Sequence, residues 1–175
     1  MKTQVHFSSD SFEWATPGAL FDVINSVCGF ELDVCATPEN AKCAKYYTLA
    51  DNGLLQPWGG MCWMNPPYGR TIADWLSKAF QESRKPGTVV VCLVPARTDT
   101  AWWHRYCMCG NILYLRGRLK FGGHKNSAPF PSAVVQLGGN MALWSRLQQQ
   151  LTRPVCNAEN AFEGVVAALH TRRDR

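Results

Sequence analysis

Five short apolar runs along the chain predict the strands of a sheet. They are Phe30–Ala36, Met61–Met64, Thr88–Ala96, Asn111–Leu115 and Phe130–Leu137. The third run is apolar at almost every position, which is typical of a strand that is buried on both faces of a parallel sheet. We therefore expect this run to be an interior strand.

Helical patterns lie between these runs. Thr16 followed by Pro17 predicts a helix start, with Thr16 as the N-cap and Pro17 in the first helical position. Apolar residues recur with helical spacing over 72–80, and similar patterns cover Thr98–Cys107 and Met141–Leu151. Strands that alternate with helices predict an α/β fold, with helices on both faces of the sheet and ligands at the carboxyl ends of the strands.

The composition is that of one globular domain. The chain has 175 residues, 46% hydrophobic and 18% charged, which excludes disordered, collagen-like and coiled-coil proteins. No apolar run approaches the roughly 20 residues of a membrane span, and residues 1–10 lack the order of a signal peptide. We therefore expect a soluble, cytoplasmic protein without a membrane partner, whose eight cysteines are reduced thiols.

Charge is distributed unevenly along the chain. Residues 1–99 carry ten acidic residues against eight Lys and Arg, whereas residues 100–158 carry seven Lys and Arg and no Asp or Glu. A long segment without acidic residues favours a surface that faces a polyanion such as nucleic acid. The alternative is an ordinary basic half of a globular domain.

A polar tetrapeptide follows the second apolar run, where an α/β site is expected. Its residues are Asn65, Pro66, Pro67 and Tyr68. The two prolines stiffen the backbone and remove two amide donors, which leaves carbonyl oxygens free as acceptors. The Asn65 side-chain oxygen and one such carbonyl can together accept both hydrogens of a planar amino group, whose ring would stack on Tyr68. A proline-rich turn that caps the next helix is the alternative.

Two acceptors in this arrangement suit the chemistry of an exocyclic amine. The amine of adenine is a poor nucleophile because its lone pair is delocalised into the ring. Acceptors that pull on its hydrogens favour a tetrahedral nitrogen and stabilise the positive charge that develops as it attacks a methyl donor. Positioning supplies much of the rate, so no general base with a shifted pKa is required.

The tetrapeptide 65–68 resembles the signature of S-adenosylmethionine-dependent methyltransferases that act on exocyclic or amide nitrogens. From His6 to Leu137 the chain is similar to the small phage-type DNA N6-adenine methyltransferases, the Dam-like family of phages and prophages. The matching segments are 14–17, 32–36, 52–58, 65–69, 93–96, 117–121 and 128–132. Glutamine and RNA methyltransferases share the tetrapeptide, so the resemblance rests on the ordered set.

The resemblance implies a reduced Rossmann-like methyltransferase sheet with helices on both faces. It implies a methyltransferase domain over residues 1–138 and a C-terminal helical extension over 139–175 that packs on the same domain. S-adenosylmethionine would be the cofactor and double-stranded DNA the partner, with adenine N6 as the acceptor after base flipping. If the protein is phage-encoded, its compartment would be the host cell cytoplasm.

The resemblance also implies roles for individual residues. Catalysis falls to Asn65, Pro66 and Tyr68. Cofactor binding falls to Thr16, Pro17, Asp33 and Asp51, although Asp33 and Asp51 also suit ordinary turn-capping roles. The glycine-rich loop of many such enzymes is absent around the first strand, and the interval 33–51 is short for a full helix plus a strand.

Four cations in the acid-free segment are expected to bind DNA phosphates. They are Arg116, Arg118, Lys120 and Lys125, around Gly117. A merely solvated basic loop is the alternative.

No metal site is expected, because His104, Cys107 and Cys109 lack the paired CxxC spacing of structural zinc sites. Two other functions stay open. One is methylation of a protein glutamine amide or an RNA base, and the other is a non-enzymatic DNA-binding module that keeps the fold.

Overall fold

The computed structural model describes residues 14–122, 126–152 and 169–170. Within them, seven strands form one sheet in the order β2-β1-β3-β4-β6-β5-β7. The strands are β1 Leu32–Asp33, β2 Lys45–Tyr46, β3 Met61–Met64, β4 Val89–Pro95, β5 Asn111–Tyr114, β6 Ser132–Leu137 and β7 Leu169–His170.

The sheet is parallel on one side and antiparallel on the other. Strands β2, β1, β3 and β4 run parallel, with Cys62 of β3 opposite Val90 of β4. Strand β6 lies between β4 and β5 and is antiparallel to both. Consequently β1, β3, β4 and β5 all end at one edge of the sheet, which we call the carboxyl edge.

Four helices cover the two faces of this sheet in the described residues. They are α1 Gly18–Cys28, α2 Ile72–Glu82, α3 Ala101–Arg105 and α4 Met141–Thr152, and a short 3-10 helix at Cys107–Cys109 follows α3. Helices α1 and α4 pack on one face and α2 and α3 on the other. The predicted arrangement of helices on both faces is confirmed.

Strand β4 shows why the sheet needs helices on both sides. Val90, Cys92 and Val94 point into the core beneath α2 and α3, whereas Val91 and Leu93 point into the core beneath α1 and α4. All five side chains are fully buried. The predicted interior strand is confirmed, although it pairs in parallel with β3 only and antiparallel with β6.

The structure departs from the sequence prediction at two local points. Helix α1 begins at Gly18 with Pro17 as its N-cap, no side chain caps it, and the Thr16 hydroxyl accepts from Asn65. The predicted N-cap role of Thr16 is therefore wrong. Strands β2 and β7 were not predicted. The chain between β1 and β2 forms turns and loops without a helix, as the short interval 33–51 suggested.

Other expectations concern the chain as a whole. Among the described residues no helix is long and apolar enough to cross a membrane. The seven cysteines in the described part of the chain are free thiols, as expected. In the region 139–175, α4 packs against α1, and β7 pairs with β5. The domain boundary after residue 138 stays a prediction.

Candidate active site

The side chain of Asn65 is held in one orientation directly after β3, at the carboxyl edge. Its Nδ2 donates to the carbonyl oxygen of Trp14 at 2.5 Å and to Oγ1 of Thr16 at 3.0 Å. A carbonyl oxygen only accepts hydrogen bonds, so the amide atom that faces it must be the NH2 group. Both hydrogens of the Asn65 amide are therefore engaged by one short segment, 14–16.

The other end of this amide is an unused acceptor. Asn65 Oδ1 is shielded from solvent and has no hydrogen-bond partner. The next residue, Pro66, is buried, and no donor in the described residues reaches its carbonyl oxygen. A buried acceptor without a partner costs about 1–3 kcal/mol, so a ligand that brought donors to these oxygens would relieve that cost.

Asn65 and Pro66 both line a cavity at the carboxyl edge. Its walls come from the segment 14–16, the loop that follows β1, the turn around Asn52, and the residues Asn65 to Pro67. Trp63 and Trp75 also line it. The cavity therefore combines polar residues with aromatic ones, as sites for small organic ligands commonly do.

Asp33, at the end of β1, contributes a buried carboxylate to this cavity. The carboxylate accepts hydrogen bonds from the amides of Lys42 at 3.1 Å and Cys35 at 3.4 Å. Burial raises the pKa of Asp33, while these two hydrogen bonds and the charge of Lys42 oppose the rise. The side chain thus anchors the loop after β1 and is also one of the residues that line the cavity.

Asp51 lies on the turn beside the cavity but is not among the described residues that line it. Its exposed carboxylate accepts hydrogen bonds from the amide and the hydroxyl of Thr48, at 2.8 and 2.7 Å. These hydrogen bonds lower the pKa of Asp51. The residues of this turn that do line the cavity include Asn52, in the left-handed conformation, and Gly53.

Gly53 is required by close packing. A Cβ atom at this position would lie 2.2 Å from the carbonyl oxygen of Val34 and 3.1 Å from the Trp75 ring. The absence of a side chain lets the turn approach the loop after β1, and the Gly53 carbonyl accepts from the Trp58 indole at 2.8 Å.

Tyr68 packs in a cluster of aromatic rings next to Asn65. Its ring meets Phe121 and Phe130 edge to face, and Trp14 contacts the same two phenylalanines. Its hydroxyl donates to the carbonyl of Leu93 at 3.1 Å, and burial raises the pKa of the phenol. Tyr68 is not among the described residues that line the cavity, so base stacking on its ring stays a prediction.

The predicted DNA-binding residues follow β5 at the same carboxyl edge. Arg116, Arg118 and Lys120 are exposed, whereas Leu115 and Leu119 of the same segment are buried. Lys125 lies outside the described residues. The three described cations therefore follow a strand that ends at the same edge of the sheet as the strand before Asn65.

The family model for DNA N-6-adenine-methyltransferase (Dam) matches residues 4–152 of this chain. The chain belongs to the Dam family. The match includes the tetrapeptide 65–68, the loops that line the cavity and the described basic residues after β5.

Two curated relatives carry the same description as the Dam family. One, from Haemophilus phage HP1 (strain HP1c1), is 34% identical over 98 residues, which are 54% of this chain and 56% of the relative. The other, from Escherichia phage T1, is 33% identical over 93 residues, which are 51% of this chain and 38% of the relative. The matched region thus spans about half or less of the length of these relatives.

Among solved structures, the chain is similar to a dimethyladenosine transferase from Plasmodium falciparum. The identity is 11% and the TM-score is 0.47, over 76% of this chain and 65% of the other.

This Dam-family structure brings together only part of the predicted site. Thr16, Asp33, Asn65 and Pro66 line one cavity. Pro17 precedes α1 and is not among the described lining residues. Sequence reasoning missed the carbonyl of Trp14 and the rings of Phe121 and Phe130. The signal for Trp14 was its place beside Thr16 in a matching segment.

The sulfur and imidazole groups near α3 are not arranged around a common point. Cys107 is buried, the Cys109 thiol donates to the carbonyl of Arg105, and a His104 ring nitrogen contacts the carbonyl of Thr98. Among the described residues there is no group of three or more potential metal ligands.

Proposed function

We propose that this Dam-family protein transfers a methyl group from S-adenosylmethionine to N6 of adenine in double-stranded DNA. The names of the two phage relatives support the choice of DNA and of adenine N6. We further propose that the adenine is flipped out of the duplex, since an amine inside a base pair cannot meet a donor buried in a protein cavity. The cytoplasm of a host cell is the proposed compartment.

The observation that carries the proposal is the unpartnered Asn65 oxygen beside the open carbonyl of Pro66. An exocyclic amine presents two N–H donors in one plane, and these two acceptors match them in number and chemistry. A site that only bound a carboxylate or a phosphate would need donors here. The acceptor pair thus favours an amine-bearing substrate.

The two acceptors would act on the amine nitrogen during the reaction. S-adenosylmethionine, when bound, supplies an electrophilic methyl group on a sulfonium sulfur. As the amine nitrogen formed its bond to the methyl carbon, the carbon–sulfur bond would break and its electron pair would go to sulfur, which leaves as the neutral thioether. The nitrogen would become positively charged and then lose one proton to solvent. The Asn65 oxygen and the Pro66 carbonyl stabilise that charge through the N–H groups, in a site already oriented for it.

The residues of the cavity fit a cofactor of this kind. The buried Asp33 carboxylate can accept hydrogen bonds from hydroxyl or ammonium groups, and the partly exposed Trp75 offers an aromatic wall for an adenine ring. Thr16 also lines the cavity. Asp51 is directed to Thr48 instead, so we propose that the turn contributes through Asn52 and Gly53.

The exposed cations after β5 would hold the DNA. Arg116, Arg118 and Lys120 follow a strand that ends at the same edge as Asn65, so phosphates bound there lie near the acceptor pair. Base contacts with aromatic rings return about 1–3 kcal/mol per base, which offsets part of the cost of flipping. Tyr68 is the proposed ring.

Product analysis tests the proposal. Purified protein is incubated with labelled S-adenosylmethionine and DNA from a methylation-deficient host, and the digested nucleosides are identified by mass spectrometry. We expect N6-methyladenine. Label in RNA or in a glutamine side chain, or retained cofactor binding with no labelled DNA, would contradict the proposed substrate, and absence of cofactor binding would contradict the activity.

A further inference from the structure

We propose that Thr16 and the main-chain carbonyl of Trp14 are positioning groups, which hold the Asn65 amide so that its oxygen faces the substrate. The inference rests on the proposed function, because it takes that oxygen to receive the adenine amine. It goes further by assigning to Thr16 a role toward a catalytic side chain in place of a cofactor contact alone.

The two contacts remove the main freedom of an amide side chain. Rotation of Asn65 by half a turn would exchange Nδ2 and Oδ1, and would bring two oxygens together at the Trp14 carbonyl, where Nδ2 now lies at 2.5 Å. The Thr16 hydroxyl, at 3.0 Å, occupies the second N–H. The first contact sets which end of the amide faces the segment 14–16, and the second fixes the plane of the amide.

The segment that supplies these contacts is itself anchored on both sides. The carbonyl of Ala15 accepts from the amide of Gly122 at 3.0 Å. The ring of Trp14 packs against Phe121 and Phe130. Thr16 is 95% buried, since only 5% of its surface is exposed. The position of the Trp14 carbonyl is therefore fixed by packing and by hydrogen bonds that do not involve Asn65.

Thr16 lines the cavity as well as contacting Asn65, so two roles must be separated. A cofactor contact would act on cofactor affinity. A positioning contact acts on the turnover of bound substrates, because a reacting group displaced by about 1 Å can slow a reaction by about 100-fold. Steady-state kinetics distinguish the two.

The first experiment replaces Thr16 and measures kcat together with the affinity for S-adenosylmethionine by calorimetry. Thr16→Val removes the acceptor and keeps the shape, and we expect kcat to fall by about 10- to 100-fold with affinity changed less than about 3-fold. Thr16→Ser keeps a hydroxyl and should restore most of kcat. Thr88→Val is the matched control, since Thr88 is equally buried at the start of β4, at the opposite edge.

Two outcomes of this experiment would overturn the inference. One is a Thr16→Val variant with unchanged kcat. The other is a loss of cofactor affinity with normal turnover at saturation, which would return Thr16 to a cofactor role. Thr16→Ser, if it folds, shows that substitution at position 16 does not by itself disturb the fold.

A second experiment needs neither cofactor nor turnover. The side-chain amide protons of Asn65 are observed by NMR, assigned through their loss in Asn65→Ala. Both protons should exchange slowly with water in the wild type, and one of them should shift and exchange faster in Thr16→Val but not in Thr88→Val. Identical amide signals in the wild type and Thr16→Val would contradict the positioning role, even if the protein methylated no DNA.

A third variant tests the Trp14 carbonyl, which cannot be mutated directly. Asn65→Asp puts a carboxylate oxygen where the NH2 group met this carbonyl, and the two oxygens repel when the carboxyl is ionised. We expect kcat to be low at neutral pH and to rise, relative to wild type, as the pH falls and the carboxyl becomes a donor. Full activity of Asn65→Asp at neutral pH would refute the donor requirement.

Discussion

The connection from β3 to β4 contains two polar side chains, Glu82 and Asn65, whose hydrogen bonding differs. Glu82, in the last turn of α2, is 3% exposed and accepts from Lys78, Lys85 and the amide of Trp58, at 2.7, 2.5 and 3.3 Å. Asn65, at the start of the connection, has its donors satisfied and its oxygen unpartnered. Both oxygens of Glu82 thus have hydrogen-bond partners and form a completed network, whereas the Asn65 amide has partners only at its nitrogen.

This difference distinguishes Glu82, which stabilises the fold, from Asn65, which is available to bind a ligand. Buried polar groups are nearly always paired, so a completed network such as that of Glu82 is expected wherever the fold needs one. Orphan atoms also occur on Ser132, Gln136 and Trp144, which do not line the cavity. What distinguishes Asn65 is that it lines the cavity together with Pro66, whose carbonyl oxygen accepts no hydrogen bond from the described residues.

Removal of the orphan acceptor should have the largest effect on activity. We expect Asn65→Ala to lower kcat by about 100- to 1,000-fold, because the loss of one preorganised hydrogen-bonding group at a developing charge has this size. The free energy of unfolding should also fall, by about 1–3 kcal/mol, because the variant loses the two hydrogen bonds that Asn65 Nδ2 donates. Single-turnover methylation and urea unfolding measure the two quantities. A large loss of unfolding free energy with normal turnover would mean that Asn65 stabilises the fold and does not act in the reaction.

Removal of the Glu82 charge should lower stability without lowering turnover. Glu82→Gln removes the charge that three donors face, and we expect a loss of about 1.5–3 kcal/mol of unfolding free energy with kcat unchanged at a temperature where the protein is folded. Asp22→Asn, an exposed charge on α1, is the control and should stay within about 0.5 kcal/mol. If both variants were equally stable, Glu82 would not be the anchor of this turn.

The elements of this fold were largely predictable, whereas the contacts that define the site were not. Strand β4 and helix α2 have apolar patterns that repeat along the chain, so burial on one or two faces is readable locally. Strand β2 has two residues and no buried side chain, and it exists only because it pairs with β1. Strand β7 is equally short and pairs with β5.

The same contrast holds within the site. Asn65 and Pro66 could be predicted because stiff carbonyls after a strand have a direct chemical meaning. The bond from Asn65 to Trp14 crosses 51 positions of sequence, and no spacing announces it. Thr16 was predicted to be a helix N-cap because the next residue is proline. Its hydroxyl instead accepts a hydrogen bond from the side-chain amide of Asn65, which is distant in sequence.

Acid titration should sharpen the comparison, because Glu82 and the cavity residue Asp33 have pKa values shifted in opposite directions. Burial works against the charge of Glu82, but the hydrogen bonds from Lys78, Lys85 and Trp58 outweigh it, so its pKa lies below 4.5. Its stabilisation is complete above the unfolded value and is lost as the pH falls through the folded one. Burial raises the pKa of Asp33 above 3.8, so protonation of Asp33 relieves a cost as the pH falls.

Unfolding free energies from neutral pH to about pH 3 measure these two contributions. Glu82→Gln should flatten the loss of stability at the acid end. In Asp33→Asn the free energy of unfolding should fall more steeply at acid pH than in the wild type, because the stabilisation that comes from protonation of Asp33 is absent. Equal pH profiles for the wild type and both variants would contradict the assigned directions.

The smallest expected effect concerns the exposed cations. Arg118→Ala should weaken DNA binding by a few-fold and reduce the slope of log affinity against log salt by about 0.9, the value for one lost phosphate contact. Arg146→Ala is the matched control, since Arg146 is an exposed cation of the same acid-free segment but lies on α4. Equal slopes for both variants would contradict the proposal that Arg118 at the carboxyl edge contacts a DNA phosphate and Arg146 on α4 does not.

The placement of β6 between β4 and β5 also bears on how such a protein can diversify. The chain that leaves the site after Tyr114 returns to the sheet at Ser132, and both ends are held by antiparallel pairing. The exposed positions of a segment tethered at both ends in this way can change without altering the register of the strands beside it. Its buried positions, among them Phe121, pack against Trp14 and are tied to the site. Surface variation and constraint by the site therefore fall on different residues of one segment.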